Sequence, residues 1–464
     1  MTASTVTLRE TSMSADVASE QINPTPMAVY GLIFLALSPF AWLTVNMRMV
    51  ISAVVLAGYI AAKPKLLGAQ NNLSARILDS SRLREIYIWL GLLFLHAILC
   101  SIISATILLR SGEVSQSDFF DRSSTQLGSL LLAFLQIGCG YHMAKYIKPA
   151  TLRKVIYATF WVSLAASVYQ TFSSDLGLPY LGREVFDPRV GLRPGGLSGE
   201  PKALSSFLVA VVLLLLMDGS RRHKHRSMAA LFRISGIILG FHFFLKTSSG
   251  NGFFSVAILA VIYFVAFPTP RKAVFGTCVL LAVLAIVPFD RLSLSDFSIR
   301  ESHQSILDNI WNLDLGLFDD LIALPMMAWL GDPLSLLIGF GPGLMHFFAS
   351  RYMDQATWLT GTTYIEGNVG AIMYISNYGL FVFLALFVYV FRKARQNFSL
   401  LGIESDRPIQ MYILSSFVLG AAIAGNVSCP FYLSIGWILG TARKKLGTDP
   451  NGNALAQVTC NIDQ

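Results

Sequence analysis

The chain has 464 residues, of which 54% are hydrophobic and only 13% are charged, and its mean hydropathy is +0.58. Soluble domains carry about a quarter charged residues, so this composition excludes an ordinary soluble protein and indicates a membrane protein. The formal net charge of +8 raises nucleic acid as a partner, but the distribution of the basic residues along the chain argues against it.

The chain begins with a polar, Ser- and Thr-rich segment, residues 1–26. This segment lacks the basic start, apolar core and small-residue cleavage site of a signal peptide, so we expect a disordered cytoplasmic tail. Apolar runs follow, and each is predicted to be a helix because open strands would leave backbone polar groups unpaired in lipid. The predicted spans are 27–45, 48–62, 86–109, 126–145, 152–172, 203–217, 229–246, 252–267, 273–289, 367–391, 409–425 and 428–442.

These runs predict an all-α fold, a polytopic membrane helical bundle with about 12 transmembrane helices over residues 27–442. Most of the 35 Lys and Arg residues fall in connections that are inside if the N-terminus is inside, for example Lys63, Lys65, Arg221 and Arg222. Lys and Arg are enriched in cytoplasmic loops. We therefore expect both termini, including a second tail at 443–464, in the cytoplasm.

Two connections on the predicted outer side are long, residues 173–202 and residues 290–366. The second is acidic overall and contains "LGLFDDLIALPMMAWLG" and "PLSLLIGFGPGLMHFF", whose apolar residues recur every three or four positions. This spacing predicts short amphipathic helices that lie on the outer leaflet or cap the bundle. We expect the function in these two extracytoplasmic loops.

The first long loop carries three arginines on the side where positive charge is sparse. Arginine presents a planar fork of donors that binds phosphate or carboxylate oxygens in pairs, so these residues suit an anionic headgroup such as a pyrophosphate. The alternative is that they pair with the acidic residues of their own loop, Asp175, Glu184 and Asp187. The three arginines are Arg183, Arg189 and Arg193.

A glycine-rich stretch, "GLRPGGLSGEPKALSSFL" at 191–208, leads from these arginines into the next span. Its glycines allow close approach of the backbone to a ligand or left-handed turns. Glu200 and Pro201 are predicted to open the helix. Glu200 is a candidate base, with a helix cap as the alternative, because the helix dipole lowers the pKa of a carboxyl at this position whereas burial raises it.

Further cations and histidines occur on the outer side. Lys246 ends the seventh span, where it either snorkels to the interface or binds phosphate. Arg291 and Arg300 follow the ninth span, and "GFGPGLMHFF" at 339–348 supplies His346, with Arg351 five residues later. A histidine can accept a proton near neutral pH, so His346 is a candidate general base, with a surface role as the alternative.

The sequence contains none of the patterns GxxxxGK[ST], HExxH, GxSxG or GxGxxG, which counts against P-loop, zinc-protease, serine-hydrolase and dinucleotide functions. Its five cysteines are scattered and form no CxxC pair, so we predict neither a zinc site nor a disulfide framework. Asp319 and Asp320 are adjacent but lie in an amphipathic stretch away from the arginines. We therefore predict no metal and no cofactor.

Four stretches carry a resemblance to a known family: "RPGGLSGEPKALSSF", "KTSSGNGFFSVAIL", "LIGFGPG" and "ISNYGLFVFLALF". With the predicted arrangement of spans, they resemble the O-antigen polymerase and ligase superfamily over roughly residues 150–395. The resemblance implies a metal-independent membrane glycosyltransferase of the bacterial cytoplasmic membrane. Its substrates would be sugars carried by undecaprenyl pyrophosphate, and its partners membrane lipid and a chain-length regulator protein.

The resemblance also implies that outer-loop arginines hold the pyrophosphate, by position Arg183, Arg189, Arg193 and Arg291. The chain departs from the family at "TSSGNG", where relatives often have an arginine, and at "TTYIEGNVG", where ligase-like members place a histidine. The second departure favours an exopolysaccharide or O-antigen-type polymerase over a ligase. The base is then His346, Glu366 or Glu200, unless the pyrophosphate leaves without help from a protein base.

A transporter or flippase of lipid-linked oligosaccharide is the alternative from a different class. Transporters often have polar or broken helices near the bilayer midplane. Here the charged residues concentrate in two loops on one side, which favours chemistry at the membrane surface.

Overall fold

The computed structural model describes residues 25–40, 45–62, 73–111, 116–173, 176, 179, 186–187, 191–198, 201–218, 227–247, 250–266, 320–351, 370–400, 407–424 and 430–441. This part of the chain is helical apart from one pair of two-residue strands, so the predicted all-α fold is confirmed for it. The predicted ninth span at 273–289 and most of both predicted tails lie outside the described residues.

Eight α-helices lie in the described residues between 25 and 266. They are α1 (Pro26–Leu37), α2 (Val45–Ala62), α3 (Leu73–Ser111), α4 (Gln116–Tyr146), α5 (Pro149–Ser173), α6 (Pro201–Asp218), α7 (Ser227–Lys246) and α8 (Gly250–Ala266). Between α5 and α6, strands β1 (Phe186–Asp187) and β2 (Gly191–Leu192) pair antiparallel, and a 3-10 turn covers Gly196–Ser198. Helix α6 begins at Pro201, as predicted.

The described residues from 320 onward add three short helices and a group of apolar helices. They are α9 (Asp320–Gly331), α10 (Pro333–Ile338), α11 (Met345–Ala349), α12 (Gly370–Tyr378), α13 (Leu380–Leu400), α14 (Arg407–Leu419), a π-helical turn (Gly420–Ala424) and α15 (Phe431–Gly440). Helices α9 to α11 lie in the two stretches where short helices were predicted, while their place in a large extracytoplasmic loop stays a prediction.

Four of the described helices are long and apolar enough to cross a membrane, over Ile86–Arg110, Ser123–Tyr146, Pro149–Ser173 and Pro201–Asp218. A fifth span is formed if the bent pair α12 and α13 counts as one. Helices α1, α2, α14 and α15 are apolar but shorter. The structure therefore supports a membrane protein, while the full set of about 12 spans stays a prediction.

Helix α3 is longer than its predicted span at 86–109. Its 39 residues extend over about 58 Å at about 1.5 Å per residue, nearly twice the roughly 30 Å of a hydrocarbon core. The extra turns lie at its N-terminal end, where Arg76, Arg82 and Arg84 occur. The predicted span covered only the apolar run, and the helix begins before that run.

Helix α14 lies at the centre of the bundle. Every residue from Pro408 to Leu419 is buried, and the helix packs against α6 and α15. The predicted span at 409–425 therefore corresponds to a core helix surrounded by protein.

Glycines allow α4 and α15 to pack at backbone contact. A Cβ on Gly436 would overlap the carbonyl oxygen of Ile137, and one on Gly440 would lie 2.6 Å from the carbonyl oxygen of Tyr141. Gly140 faces the Leu433 carbonyl in the same way. Small residues four apart are a usual means of close helix packing in membranes.

The predicted span at 367–391 differs from the structure, because the helix direction bends by 118° between α12 and α13. Gly379, between them, has a φ of 81°, a left-handed conformation that favours glycine. A Cβ there would also overlap the Leu337 carbonyl oxygen. The break follows from close contact with the end of α10.

Candidate functional site

Helix α5 presents a polar stripe to the interior of the bundle. Ser163, Ser167, Gln170 and Ser173 are all buried, at a spacing of three or four residues that places them on one face. The serine hydroxyls of Ser167 and Ser173 bond carbonyls of their own helix, Ser163 and Gln170. Gln170 is therefore the member of the stripe whose side chain reaches another segment.

The segment that Gln170 holds is residues 191–198, which we call the Arg193 loop. The Gln170 Oε1 accepts hydrogen bonds from the backbone N–H of Gly195 at 3.0 Å and of Gly196 at 2.7 Å. Its Nε2 donates to the Gly196 carbonyl at 3.0 Å. One side chain thus satisfies three backbone groups of a buried turn, as buried polar groups require.

Gly196 allows this close approach. Its φ is 53°, and a Cβ at this position would lie 2.9 Å from both the Ser163 hydroxyl and a Leu204 methyl group. Residues from Pro194 to Ser198 are buried. The left-handed turn predicted for these glycines is confirmed at Gly196, and the backbone approaches the protein itself there.

Arg193 is half-buried beside this turn, and its Nε donates a hydrogen bond to the Thr247 carbonyl at 2.7 Å. Thr247 is fully buried, and its hydroxyl donates to the Phe244 carbonyl at 2.6 Å. Lys246, at the end of α7, is exposed next to it. The structure therefore brings together Arg193 and the Lys246–Thr247 turn, two places that the sequence predicted separately.

Hydroxyl groups also line the contact of α6 with α8 behind this turn. The Ser206 and Ser255 hydroxyls lie 3.1 Å apart, and a Cβ on Gly252 would lie 2.9 Å from the Ser205 Cβ. At the opposite end of α5, Arg153 forms an ion pair of 3.0 Å with Asp218 at the end of α6. The helices that hold the Arg193 loop are thus fixed at both ends.

A second group is built around residues 339–343, which we call the glycine turn. Gly339, Gly341 and Gly343 have φ values of 91°, 93° and 76°, which only glycine adopts without strain. The Phe340 N–H donates to the Ser376 carbonyl at 2.7 Å, and the Ser104 hydroxyl donates to the Phe340 carbonyl at 2.5 Å. The stretches "LIGFGPG" and "ISNYG" are therefore in direct contact.

His96 of α3 joins this turn to the break between α12 and α13. Its Nε2 lies 3.0 Å from the Ile338 carbonyl and 3.1 Å from the Tyr378 carbonyl. Both partners are acceptors, so Nε2 carries the proton. The Cys100 thiol also donates to the Ile338 carbonyl at 3.1 Å. The C-terminal ends of α10 and α12 are thus both held by hydrogen-bond donors on α3.

His346 and Arg351 follow the glycine turn on and just after α11. His346 is half-buried, and the Arg351 guanidinium is exposed, with its Cζ 5.1 Å from the centre of the Phe348 ring. Phe348 belongs to a hydrophobic cluster that also contains Leu108 of α3 and Phe119 of α4. His346 and Arg351 therefore belong to a different group from Arg193.

Both groups lie at the same end of the bundle by connectivity. Four residues separate α3 from α4, and two separate α4 from α5, and such short connections join antiparallel neighbours. The C-terminal ends of α3 and α5 and the N-terminal end of α4 thus share one side. The side of the membrane on which this end lies stays a prediction.

The remaining predicted site residues lie outside the described part of the chain. They are Arg183, Arg189, Glu200, Arg291, Arg300 and Glu366. Within the described part, no group of three His, Cys, Asp or Glu side chains is arranged to hold a metal ion. The described site thus consists of Arg193 and Lys246 in one group and His346 and Arg351 in the other.

The sequence analysis missed Gln170 and His96 as residues that hold these segments. Each is a polar side chain within an apolar span, and this position is itself the signal, because a polar group there needs a partner. Arg48 of α2 is also fully buried, and its Nη1 donates to the Ser38 carbonyl at 2.7 Å, which ties α2 to the end of α1.

Comparison with known proteins assigns no family. No protein-family model matches the chain, and no curated protein matches its sequence.

Proposed function

We propose that the chain is a bacterial exopolysaccharide or O-antigen-type polymerase that joins undecaprenyl-pyrophosphate-linked repeat units at the outer face of the cytoplasmic membrane. The proposal includes about 12 transmembrane helices with both termini in the cytoplasm. The observation that carries it is the bond from Arg193 to the Thr247 carbonyl. This bond joins two of the four stretches on which the family resemblance rests and orients the Arg193 guanidinium.

In the proposed reaction, a hydroxyl of the acceptor repeat unit attacks C1 of the donor sugar. The bond from C1 to the bridging phosphate oxygen breaks, and undecaprenyl pyrophosphate leaves with the bond's electron pair. The proton of the hydroxyl passes to a base, for which His346, Glu366 and Glu200 are the candidates, or to the leaving pyrophosphate. A new glycosidic bond and one free undecaprenyl pyrophosphate result from each step.

Arg193 acts on the leaving group in this scheme. A guanidinium fixed in a poorly hydrated cleft stabilises the negative charge that develops on the bridging oxygen, and it needs little reorganisation to do so. A guanidinium keeps its charge at any relevant pH and binds phosphate oxygens in pairs. Removal of one such donor costs about 3 kcal/mol of transition-state stabilisation, or roughly a hundredfold in rate.

A flippase of lipid-linked oligosaccharide is the second candidate, and one observation favours it. Transporters use discontinuous helices at their substrate sites, and α12 and α13 form such a broken pair. At this break, however, the Tyr378 carbonyl is bonded by His96, which suits a fixed structural joint. The polymerase is therefore the better-supported function.

Reconstitution in liposomes with undecaprenyl-pyrophosphate-linked oligosaccharide separates these functions. A polymerase releases one free undecaprenyl pyrophosphate for each new linkage and produces longer chains. A flippase moves the oligosaccharide to the other leaflet without new glycosidic bonds. A ligase forms product only when lipid A core is added. Translocation without lengthening, or a requirement for lipid A core, would contradict the polymerase.

A further inference from the structure

Helix α13 has an outward face that changes from apolar to cationic along its length. Phe381, Leu384 and Val388 are exposed by 64%, 46% and 51%. They recur at the three- and four-residue spacing of one helical face. The same face continues with the exposed side chains of Arg392 and Gln396.

The opposite face of α13 is fixed to the bundle. Val390 and Ala394 are fully buried. The buried Asn397 donates a hydrogen bond through Nδ2 to the Ile438 carbonyl of α15 at 2.9 Å. Since the helix cannot rotate without breaking this bond, the apolar and cationic halves of its outer face keep their alignment.

An open groove of about 550 Å³ lies along this outer face, and all of its described lining residues belong to α13. Leu384, Ala385 and Val388 line its apolar end, and Arg392, Lys393 and Gln396 line its polar end. Tyr389 stands at the junction, with the Lys393 Nζ 5.7 Å from its ring centre. Tyrosine with a lysine beside it is typical of the border between hydrocarbon and headgroups.

The length of the apolar half matches one leaflet. Eleven residues separate Phe381 from Arg392, which corresponds to about 17 Å of helix, against roughly 15 Å for half of a hydrocarbon core. The helix sequence 380–400 contains three basic residues and no Asp or Glu. A cationic end at headgroup depth and an apolar strip at acyl-chain depth therefore lie in one groove.

We propose that this groove binds an anionic phospholipid of the cytoplasmic leaflet. Arg392 and Lys393 bind the phosphate oxygens, the Gln396 amide donates to the headgroup, and an acyl chain lies on Leu384, Ala385 and Val388. Basic groups at the cytoplasmic border attract anionic lipid, and the side chains below them fix where it sits. The assignment to the cytoplasmic leaflet rests on the proposed topology, whereas the groove itself does not.

The full-length protein is reconstituted in nanodiscs of phosphatidylcholine with a minority of phosphatidylglycerol. After transfer to detergent and purification, mass spectrometry measures which lipid the protein has retained. The wild type is expected to retain phosphatidylglycerol preferentially. The double variant Arg392→Gln/Lys393→Gln should lose roughly thirtyfold in relative affinity, because each cation near the surface contributes about a factor of five.

Two further variants distinguish binding in the groove from general attraction of anionic lipid by basic residues. Arg84→Gln/Lys154→Gln removes two exposed basic residues from other helices on the same predicted side, and it should retain phosphatidylglycerol as the wild type does. Ala385→Trp fills the apolar end and leaves both cations in place, so retention should fall. Both this variant and the charge variant change exposed or half-buried side chains, and far-UV circular dichroism checks that the helices remain.

Retention that is unchanged in Arg392→Gln/Lys393→Gln or in Ala385→Trp would overturn the proposal, as would equal losses in the Arg84→Gln/Lys154→Gln control. If Ala385→Trp instead converts a dimer into a monomer without changing lipid retention, the face binds a second copy and the proposal is wrong. Formation of polymer is a separate measurement. A failure of the lipid proposal therefore leaves the proposed polymerase untouched, and the reverse holds as well.

Discussion

Replacement of Gln170 by leucine is expected to release the Arg193 loop. The substitution keeps the approximate volume of the side chain but removes all three hydrogen bonds to the backbone of Gly195 and Gly196. Each contributes about 1 kcal/mol net, so the loop loses about 3 kcal/mol, equivalent to a factor of roughly one hundred in its opening equilibrium. The rest of the bundle does not depend on these bonds.

Amide hydrogen exchange measures this opening directly, because exchange of a buried amide reports the free energy of local opening. In Gln170→Leu, the amides of Gly195 and Gly196 should exchange about a hundredfold faster. Gln136→Leu is the matched control, since Gln136 is a buried glutamine of α4 whose side chain contacts Met49. Equal protection of the Gly195 and Gly196 amides in wild type and Gln170→Leu would show that the Gln170 side chain does not hold the Arg193 loop.

Three other predictions follow from the packing and from the proposed chemistry. Gly436→Val should severely reduce the yield of folded protein, measured by size-exclusion chromatography, because the new side chain would overlap the Ile137 carbonyl. The control Gly58→Val should leave the yield unchanged, because Gly58 faces open space. Gly379→Ala should lower the melting temperature, since it combines a φ of 81° with a backbone overlap; an unchanged melting temperature would contradict the tight joint. Polymer formation in reconstituted liposomes should persist after treatment with a divalent-metal chelator, and loss of product that added Mg²⁺ restores would contradict the metal-independent mechanism.

Helix positions could be predicted from the sequence where a local pattern marks the helix. The start of α6 at Pro201 and the short helices around Ala328 and Leu344 followed from local patterns, because a proline is favoured in the first helical turn and apolar spacing marks a helical face. The break at Gly379 could not be predicted in this way. It depends on a contact with Leu337, more than forty residues earlier in the chain, and apolar periodicity carries no information about such a partner.

The residues of the candidate site divide in the same way. Arg193 was predicted from its charge and its place in a glycine-rich stretch, but its partner, the Thr247 carbonyl, is a backbone group with no signature in the sequence. For Gln170 and His96 the sequence predicts only that each has a hydrogen-bond partner, because a polar side chain in an apolar span is costly when unpaired. Which loop each one holds is decided by how the helices pack.

The central claim is that Arg193 stabilises the departing undecaprenyl pyrophosphate, and the rate at which this product appears tests it most directly. In liposomes with undecaprenyl-pyrophosphate-linked oligosaccharide, Arg193→Ala should release it about a hundredfold more slowly than the wild type. Arg193→Lys should also be slowed, because lysine keeps the charge but lacks the planar fork. Arg84→Ala, with the same loss of charge elsewhere, should retain the full rate. Wild-type release by Arg193→Ala, in protein that reaches the membrane normally, would contradict the account.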